Sequence, residues 1–185
     1  AAYSRWDAQN KEPLWTKKLA PIQGIQQAKV TVFPAEIRME CIGNDPQLLV
    51  SDIPSATGPF TLELKIKSTS KGPGQIFWST AAKPAFAAAQ CVKLEVQHDG
   101  AQWHDYSVKL PAVTPALTHL RLDPGNAPGL VRIARLTLQD AEGKVIKAWV
   151  GTAAASAPGK AADASKPKPN ILFIMTDQQH WRMLS

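Results

Sequence analysis

Apolar and polar residues alternate with a period of two along most of the chain after residue 28. Such alternation is typical of β-strands that bury one face, and turn-forming Asp-Pro, Gly-Pro, Asp-Gly and Pro-Gly pairs separate the segments. The predicted strands cover residues 30–33, 37–42, 48–50, 60–67, 75–80, 92–97, 103–110, 119–122, 131–138 and 144–150. Many short strands at this spacing predict an all-β fold, specifically a β-sandwich or jelly roll.

The alternation also predicts which side chains face the core. The inward sets are Phe60, Leu62, Leu64 and Ile66 on one strand, and Val92, Leu94 and Val96 on another. In the segment 131–138 the apolar positions change parity near Ala134 and Arg135. One extra residue in a strand has this effect, so we expect a β-bulge there.

The pattern divides the chain into four parts. Residues 1–27 lack a clean period and are predicted to be an irregular lead-in, and residues 28–151 form the sandwich. Residues 152–169 are rich in Ala, Pro and Lys without large apolar side chains, which is typical of a flexible linker. Residues 170–185 begin with a new apolar run.

Composition narrows the functional classes. The 185 residues include 44% hydrophobic ones and carry a net charge of +6, which favours acidic partners. No run of like charge suggests nucleic-acid binding, and no stretch reaches the roughly 20 apolar residues of a membrane span. The chain begins at Ala-Ala without Met, as a trimmed chain or a mature form after signal cleavage would, so we expect a secreted or periplasmic protein.

The two cysteines are predicted to face opposite ways. Cys41 shares the inward parity of Ile37 and Met39, whereas Cys91 shares the outward parity of Lys93 and Glu95. We expect two free thiols, although two cysteines leave a disulfide open.

Exposed tryptophans are the main candidate chemistry. Parity places Trp103 on a polar face with Lys109, and Trp149 on a polar face beside Lys147. Indole rings stack on the C–H faces of sugars, and nearby polar groups bond the hydroxyls, so the pattern favours carbohydrate binding. The alternative is that a loop or a neighbouring domain covers each ring.

Arg121 is a further candidate because it shares outward parity with Asp123 and His119. It could contact a glycan or form a surface pair with Asp123 beside a turn. Neither a His-rich metal motif nor a Gly-x-Ser-x-Gly elbow occurs, so the sandwich is not expected to be an enzyme. A structural Ca²⁺ is plausible, although no Asp-rich loop requires one.

Four segments resemble the carbohydrate-binding-like sandwich modules attached to bacterial glycan-degrading enzymes and sulfatases. They are GQIFWST at 74–80, DGAQWHDY at 99–106, LRLDP at 120–124 and GLVRI at 129–133. The resemblance implies a sandwich fold. It leaves the ligand open, because such modules include both sugar binders and scaffolds.

The run KPNILFIMTDQQ at 168–179 resembles the opening strand of sulfatases of the alkaline phosphatase superfamily. The resemblance implies that Asp177 would bind a divalent cation, Ca²⁺ or Mg²⁺, in a complete sulfatase domain. Gln178 stands where many members have a second Asp, and neither cysteine lies in the Cys-x-Pro-x-Arg motif that supplies formylglycine. This chain by itself is therefore expected to be non-catalytic and to need no cofactor.

Together these observations predict an accessory module of a secreted bacterial sulfatase-like hydrolase. Its expected partners are a polysaccharide, including a sulfated one that the positive charge would attract, and its own catalytic domain. The alternative is a scaffold that packs on the catalytic domain and binds no glycan.

Overall fold

Two antiparallel sheets face each other in this computed structural model, which describes residues 20–111 and 113–151. Within these residues lie eleven strands. They are β1 (Ile22–Gln26), β2 (Ala28–Val32), β3 (Ile37–Cys41), β4 (Gln47–Val50), β5 (Phe60–Ser68), β6 (Gly74–Thr80), β7 (Cys91–Leu94), β8 (His104–Leu110), β9 (Leu117–Asp123), β10 (Gly129–Gln139) and β11 (Val145–Val150). One 3-10 turn, Ala88–Gln90, precedes β7.

The strands cross repeatedly from one sheet to the other. The first sheet has the order β1-β4-β9-β6-β7, and the second has the order β2-β3-β10-β5-β8 with β11 also paired to β10. Successive strands from β3 to β6 and from β7 to β10 change sheets, as in a jelly roll. The prediction of an all-β sandwich is confirmed.

The core lies between the two sheets and follows the predicted alternation. Phe60, Leu62, Leu64 and Ile66 are each at most 1% exposed, while the residues between them face outward. Burying each such side chain contributes about 1.5–3 kcal/mol relative to leaving it in water. The same alternation holds on β3 and β8, so the period of two identified the inner faces correctly.

The predicted β-bulge is confirmed. The pairing of β10 with β5 shifts register between Ile133 and Arg135. On its other edge β10 pairs with β3 over Gly129–Ile133 and with β11 from Leu136 onward. The bulge therefore marks the point at which β10 exchanges one neighbour for another.

Most strand boundaries differ from prediction by one or two residues, and two differences are larger. The segment Ile22–Gln26, predicted to belong to the irregular lead-in, forms β1 and pairs with β4. The period of two misses it because its two isoleucines are three residues apart. Residues 95–97 lie outside β7, and the amide of Gln97 donates to the Tyr106 hydroxyl (2.8 Å) rather than to a sheet partner. The predicted linker and the segment 170–185 lie outside the described residues.

Both cysteines are free thiols. Cys41 is buried in the core, and burial raises the pKa of its thiol to about 11. Cys91 lies partly buried on the outer face of the first sheet. The pKa of its thiol is raised mainly by burial and, to a smaller extent, by the negative charge of Asp123. Neither thiol is therefore an activated nucleophile.

No helix in the described residues is long and apolar enough to cross a membrane.

Candidate functional site

The outer face of the second sheet carries a row of cations that ends near a tryptophan. Arg38 on β3 lies opposite Arg132 on β10, and Arg132 lies opposite Lys67 on β5. Trp103 directly precedes β8, the next strand, and its ring centroid is 5.2 Å from the Arg132 guanidinium carbon. We call Arg38, Arg132 and Lys67 the basic row.

Glu36 joins the two arginines of the basic row. One carboxylate oxygen, Oε1, accepts from Arg38 Nε at 2.5 Å, and Oε2 accepts from Arg132 Nε at 2.8 Å and Nη2 at 2.6 Å. Glu36 is only 7% exposed. The hydrogen bond from Arg132 is the main cause that lowers the Glu36 pKa against the opposing effect of burial, and Arg38 lowers it further. Glu36 is therefore anionic at neutral pH.

A turn before β8 positions Trp103. Asp99 Oδ1 accepts from the amides of Ala101 (2.9 Å) and Gln102 (3.2 Å), and Asp99 Oδ2 lies 2.8 Å from His104 Nε2. These hydrogen bonds lower the pKa of Asp99 to about 2, and the bond from the Gln102 amide has the largest effect. Lys67 Nζ in turn donates to the Ala101 carbonyl at 2.8 Å. The tryptophan and the basic row are thus tied to the same turn.

The remainder of this face is also rich in cations. Lys65 and Arg135 lie opposite each other, and both pair with Asp105. Lys109 is exposed farther along β8. Seven cations, Lys29, Arg38, Lys65, Lys67, Lys109, Arg132 and Arg135, share the face with four carboxylates, Glu36, Glu40, Glu63 and Asp105. Like charges on opposing strands destabilise a sheet, so the basic row costs stability and favours an anionic ligand.

Trp149 and Lys147 lie elsewhere, near the start of β1. Trp149 packs against the core, and its Nε1 donates to the Ser51 carbonyl at 2.9 Å. Lys147 pairs with Asp52. The expectation that Trp149 simply faces outward is wrong, because the β10–β11 pairing shifts register twice and so breaks the alternation of β11. A shallow depression of about 390 Å³ borders the ring.

Arg121 lies on the outer face of the first sheet, away from the basic row. Its Nη2 donates to Asp123 Oδ2 at 2.7 Å. The expected alternative, a pair between Arg121 and Asp123, is confirmed, but the pair is not at the open surface, since the two side chains are only 11% and 10% exposed. The guanidinium carbon of Arg121 is 3.9 Å from the ring centroid of Phe77 and 5.4 Å from that of Phe86. These rings shield the pair from water.

His119 shares that face with Arg121. Its Nδ1 is 3.4 Å from Ser79 Oγ, which lies 2.9 Å from Thr118 Oγ1. Burial lowers the pKa of His119 and keeps the ring neutral at neutral pH. These contacts form a hydrogen-bond network, and within the described residues no carboxylate is seen to bond the histidine.

The candidate residues thus fall into three places. Trp103 and Lys109 share the outer face of the second sheet, Trp149 and Lys147 share the depression, and Arg121 stands apart. Sequence reasoning missed Arg38, Arg132, Lys65, Lys67 and Glu36. The outward parity of the four cations was visible in the sequence, but their proximity depends on which strands are neighbours.

Metal binding gains no support from the described part of the chain. No group of three or more His, Cys, Asp or Glu side chains there is placed to hold a metal ion. Asp177, the predicted ligand in a complete sulfatase domain, lies outside the described residues.

Comparison with known proteins yields structural likeness only. No family model matches the chain, and no curated protein matches it. Among solved structures, a point mutant of a carbohydrate binding module of family 29 superposes with a TM-score of 0.47 at 11% identity, covering 69% of this chain and 82% of its own.

A second similar structure is the C-terminal family 6 module of LamC, a marine laminarinase from Zobellia galactanivorans. It superposes with a TM-score of 0.42 at 14% identity, covering 59% of this chain and 89% of its own. The ligand-free CBM1 of BiXyn10A superposes with a TM-score of 0.44 at 11% identity, covering 63% of this chain and 86% of its own. All three likenesses are too distant to bear on a ligand.

Proposed function

We propose that this sandwich is a non-catalytic glycan-binding module and that it holds an anionic polysaccharide on the outer face of the second sheet. The observation that carries the proposal is the basic row with Trp103 at its end. A ring for stacking and fixed cations for acidic substituents are the two elements that an anionic sugar chain requires.

The dimensions of the row suit an extended chain. Neighbouring strands lie about 4.8 Å apart, so a row across four strands spans about 14 Å. A polysaccharide lying across the strands would place a sugar on Trp103 and its acidic groups over Lys67, Arg132 and Arg38. Sulfate and carboxylate groups both fit the guanidinium fork.

The proposal extends to the longer protein that the sequence suggests. If residues 170–185 open a sulfatase domain, as their resemblance implies, the module would hold that enzyme at a sulfated polysaccharide outside the cell. That role places the module beside a catalytic domain and assigns it no chemistry of its own.

A scaffold that packs on a catalytic domain is the second candidate function. Large apolar side chains at the surface favour it, namely Val32, Phe33, Ile42, Leu130 and Val145. The depression beside Trp149, lined partly by Pro21, Ile22 and Val32, favours it too.

Calorimetric titration of the full chain separates the two functions. We expect saturable binding to dextran sulfate and none to unsubstituted dextran. Trp103→Ala should weaken binding about 10- to 100-fold, because a sugar that covers the ring removes apolar surface from water, an effect worth about 1.5–3 kcal/mol for a large side chain. The matched control, Trp149→Phe, should leave binding unchanged. Absence of binding across sulfated and carboxylated polysaccharides would contradict the proposal and favour the scaffold.

A further inference from the structure

We propose that Arg38 and Arg132 form a preformed site for one acidic substituent of the glycan, and that Glu36 is the residue that positions them. The inference rests on the proposed function, since it concerns the same face. It adds a defined anion site. It also assigns a role to the Glu36 carboxylate, whose negative charge alone would be expected to weaken the binding of an anion.

Each guanidinium is held on two sides. The guanidinium carbon of Arg38 lies 4.5 Å from the ring centroid of Phe33, and that of Arg132 lies 5.2 Å from the ring of Trp103. Glu36 holds the inner edges of both groups through the three bonds given above. A ring against one face and a carboxylate at one edge leave each group little freedom to rotate.

The N–H groups that Glu36 does not use are available to a ligand. A guanidinium carries five N–H donors. Glu36 takes Nε of Arg38 and both Nε and Nη2 of Arg132, which leaves both Nη groups of Arg38 and Nη1 of Arg132. Their side chains are 49% and 34% exposed, so water and ligands reach them. A sulfate or carboxylate can accept from two such forks at once.

Glu36 also explains how two cations tolerate adjacent positions. Opposed residues on neighbouring antiparallel strands have Cβ atoms only about 5 Å apart, so the two arginines repel each other. A shared carboxylate at 7% exposure offsets that repulsion while both guanidiniums stay in place. Without it, we expect the side chains to move apart and the site to lose its shape before any ligand arrives.

This role predicts an effect opposite in sign to that of simple charge. Removing a carboxylate from a basic surface normally strengthens polyanion binding. If Glu36 positions the arginines, its neutralisation weakens binding instead, because the ligand must then order both side chains itself. Glu40 supplies a matched control on the same face, since it pairs only weakly with Lys29 at 3.8 Å.

The test titrates the full chain with dextran sulfate at low salt. We expect Glu36→Gln to bind 3- to 10-fold more weakly than the wild type, and Glu40→Gln to bind equally or more tightly. Glu36→Gln binding as tightly as Glu40→Gln would overturn the positioning role while leaving the proposed function intact. A wild-type chain that fails to bind at all would overturn both.

A second variant covers the case in which Glu36→Gln does not fold, which circular dichroism would reveal. Arg132→Lys keeps the charge but loses the planar fork. We expect Arg132→Lys to bind dextran sulfate at least 5-fold more weakly than the wild type. The salt dependence of binding should be unchanged, because the variant keeps the positive charge. Binding equal to that of the wild type would overturn the inference.

Discussion

Trp103 and Trp149 show what alternation can and cannot predict for single residues. The same parity rule predicts an outer face for both. Trp103 obeys it because β8 pairs with β5 without a shift. Trp149 does not, because the register shifts of β11 turn its ring onto the core and bring its indole N–H to the Ser51 carbonyl. The parity rule uses the sequence of one strand, whereas the register shifts of β11 depend on how two strands pair, so the rule cannot predict them.

The two rings should therefore differ in their contribution to stability. Trp149→Ala removes core packing and leaves the Ser51 carbonyl without its donor, and we expect a loss of about 2–3 kcal/mol. Trp103→Ala should cost less than about 1 kcal/mol, because that ring packs on a charged side chain at the surface. Urea denaturation of both variants measures this difference. Equal losses would show that Trp103 has a structural role instead.

At the scale of elements, the strands were easier to predict than their neighbours. Within the described residues, all ten strands predicted for the sandwich form, and β1 alone was missed, since the two isoleucines of IQGIQ are three residues apart and do not alternate. The basic row joins β3, β10 and β5, and almost one hundred residues separate Arg38 from Arg132. The local sequence pattern contains no information on which distant strands pair. Glu36 and both arginines could therefore not be predicted to form one site.

The bulge of β10 depends on a close approach at the end of β11. Gly151 has a φ of +64°, and a Cβ there would overlap the Ala134 carbonyl oxygen at the bulge. We expect Gly151→Ala to cost about 3 kcal/mol, from left-handed strain and the clash together. Thermal denaturation would measure the loss.

Gly143 is the matched control for that substitution. Its φ is +80°, but nothing lies within 4 Å of an added Cβ. Gly143→Ala should therefore cost only about 1 kcal/mol of backbone strain. Similar losses for the two variants would mean that steric contact at the bulge is unimportant.

At the scale of the whole sandwich, its two outer faces differ in charge and exposure. The outer face of the second sheet carries the basic row, whereas the outer face of the first sheet encloses Arg121 and Asp123 behind two phenyl rings. The net charge of +6 does not predict this difference between the faces, because it gives the sign of the charge and not its distribution over the two sheets. Ligand binding should accordingly be confined to one face.

Charge reversal on each face tests that expectation. Lys67→Glu, in the basic row, and Lys93→Glu, exposed on the outer face of the first sheet, change the net charge equally. We expect Lys67→Glu to weaken dextran sulfate binding at least 10-fold, because a repulsive charge then lies within the contact. Lys93→Glu should change affinity less than about 2-fold, since screening reduces effects beyond about 10 Å. Equal effects in calorimetry would show that only net charge matters.

The position of β10 in the second sheet governs when this chain can fold. This strand is the tenth of the eleven described strands, and it lies between β3 and β5, which come from the first half of the sandwich. During synthesis, β3 and β5 must wait for β10 before their sheet can close, which makes folding slow compared with that of helical proteins of similar size. No shorter N-terminal piece should be stable, and the unpaired edges of the earlier strands would remain open to aggregation until residue 139 has been made.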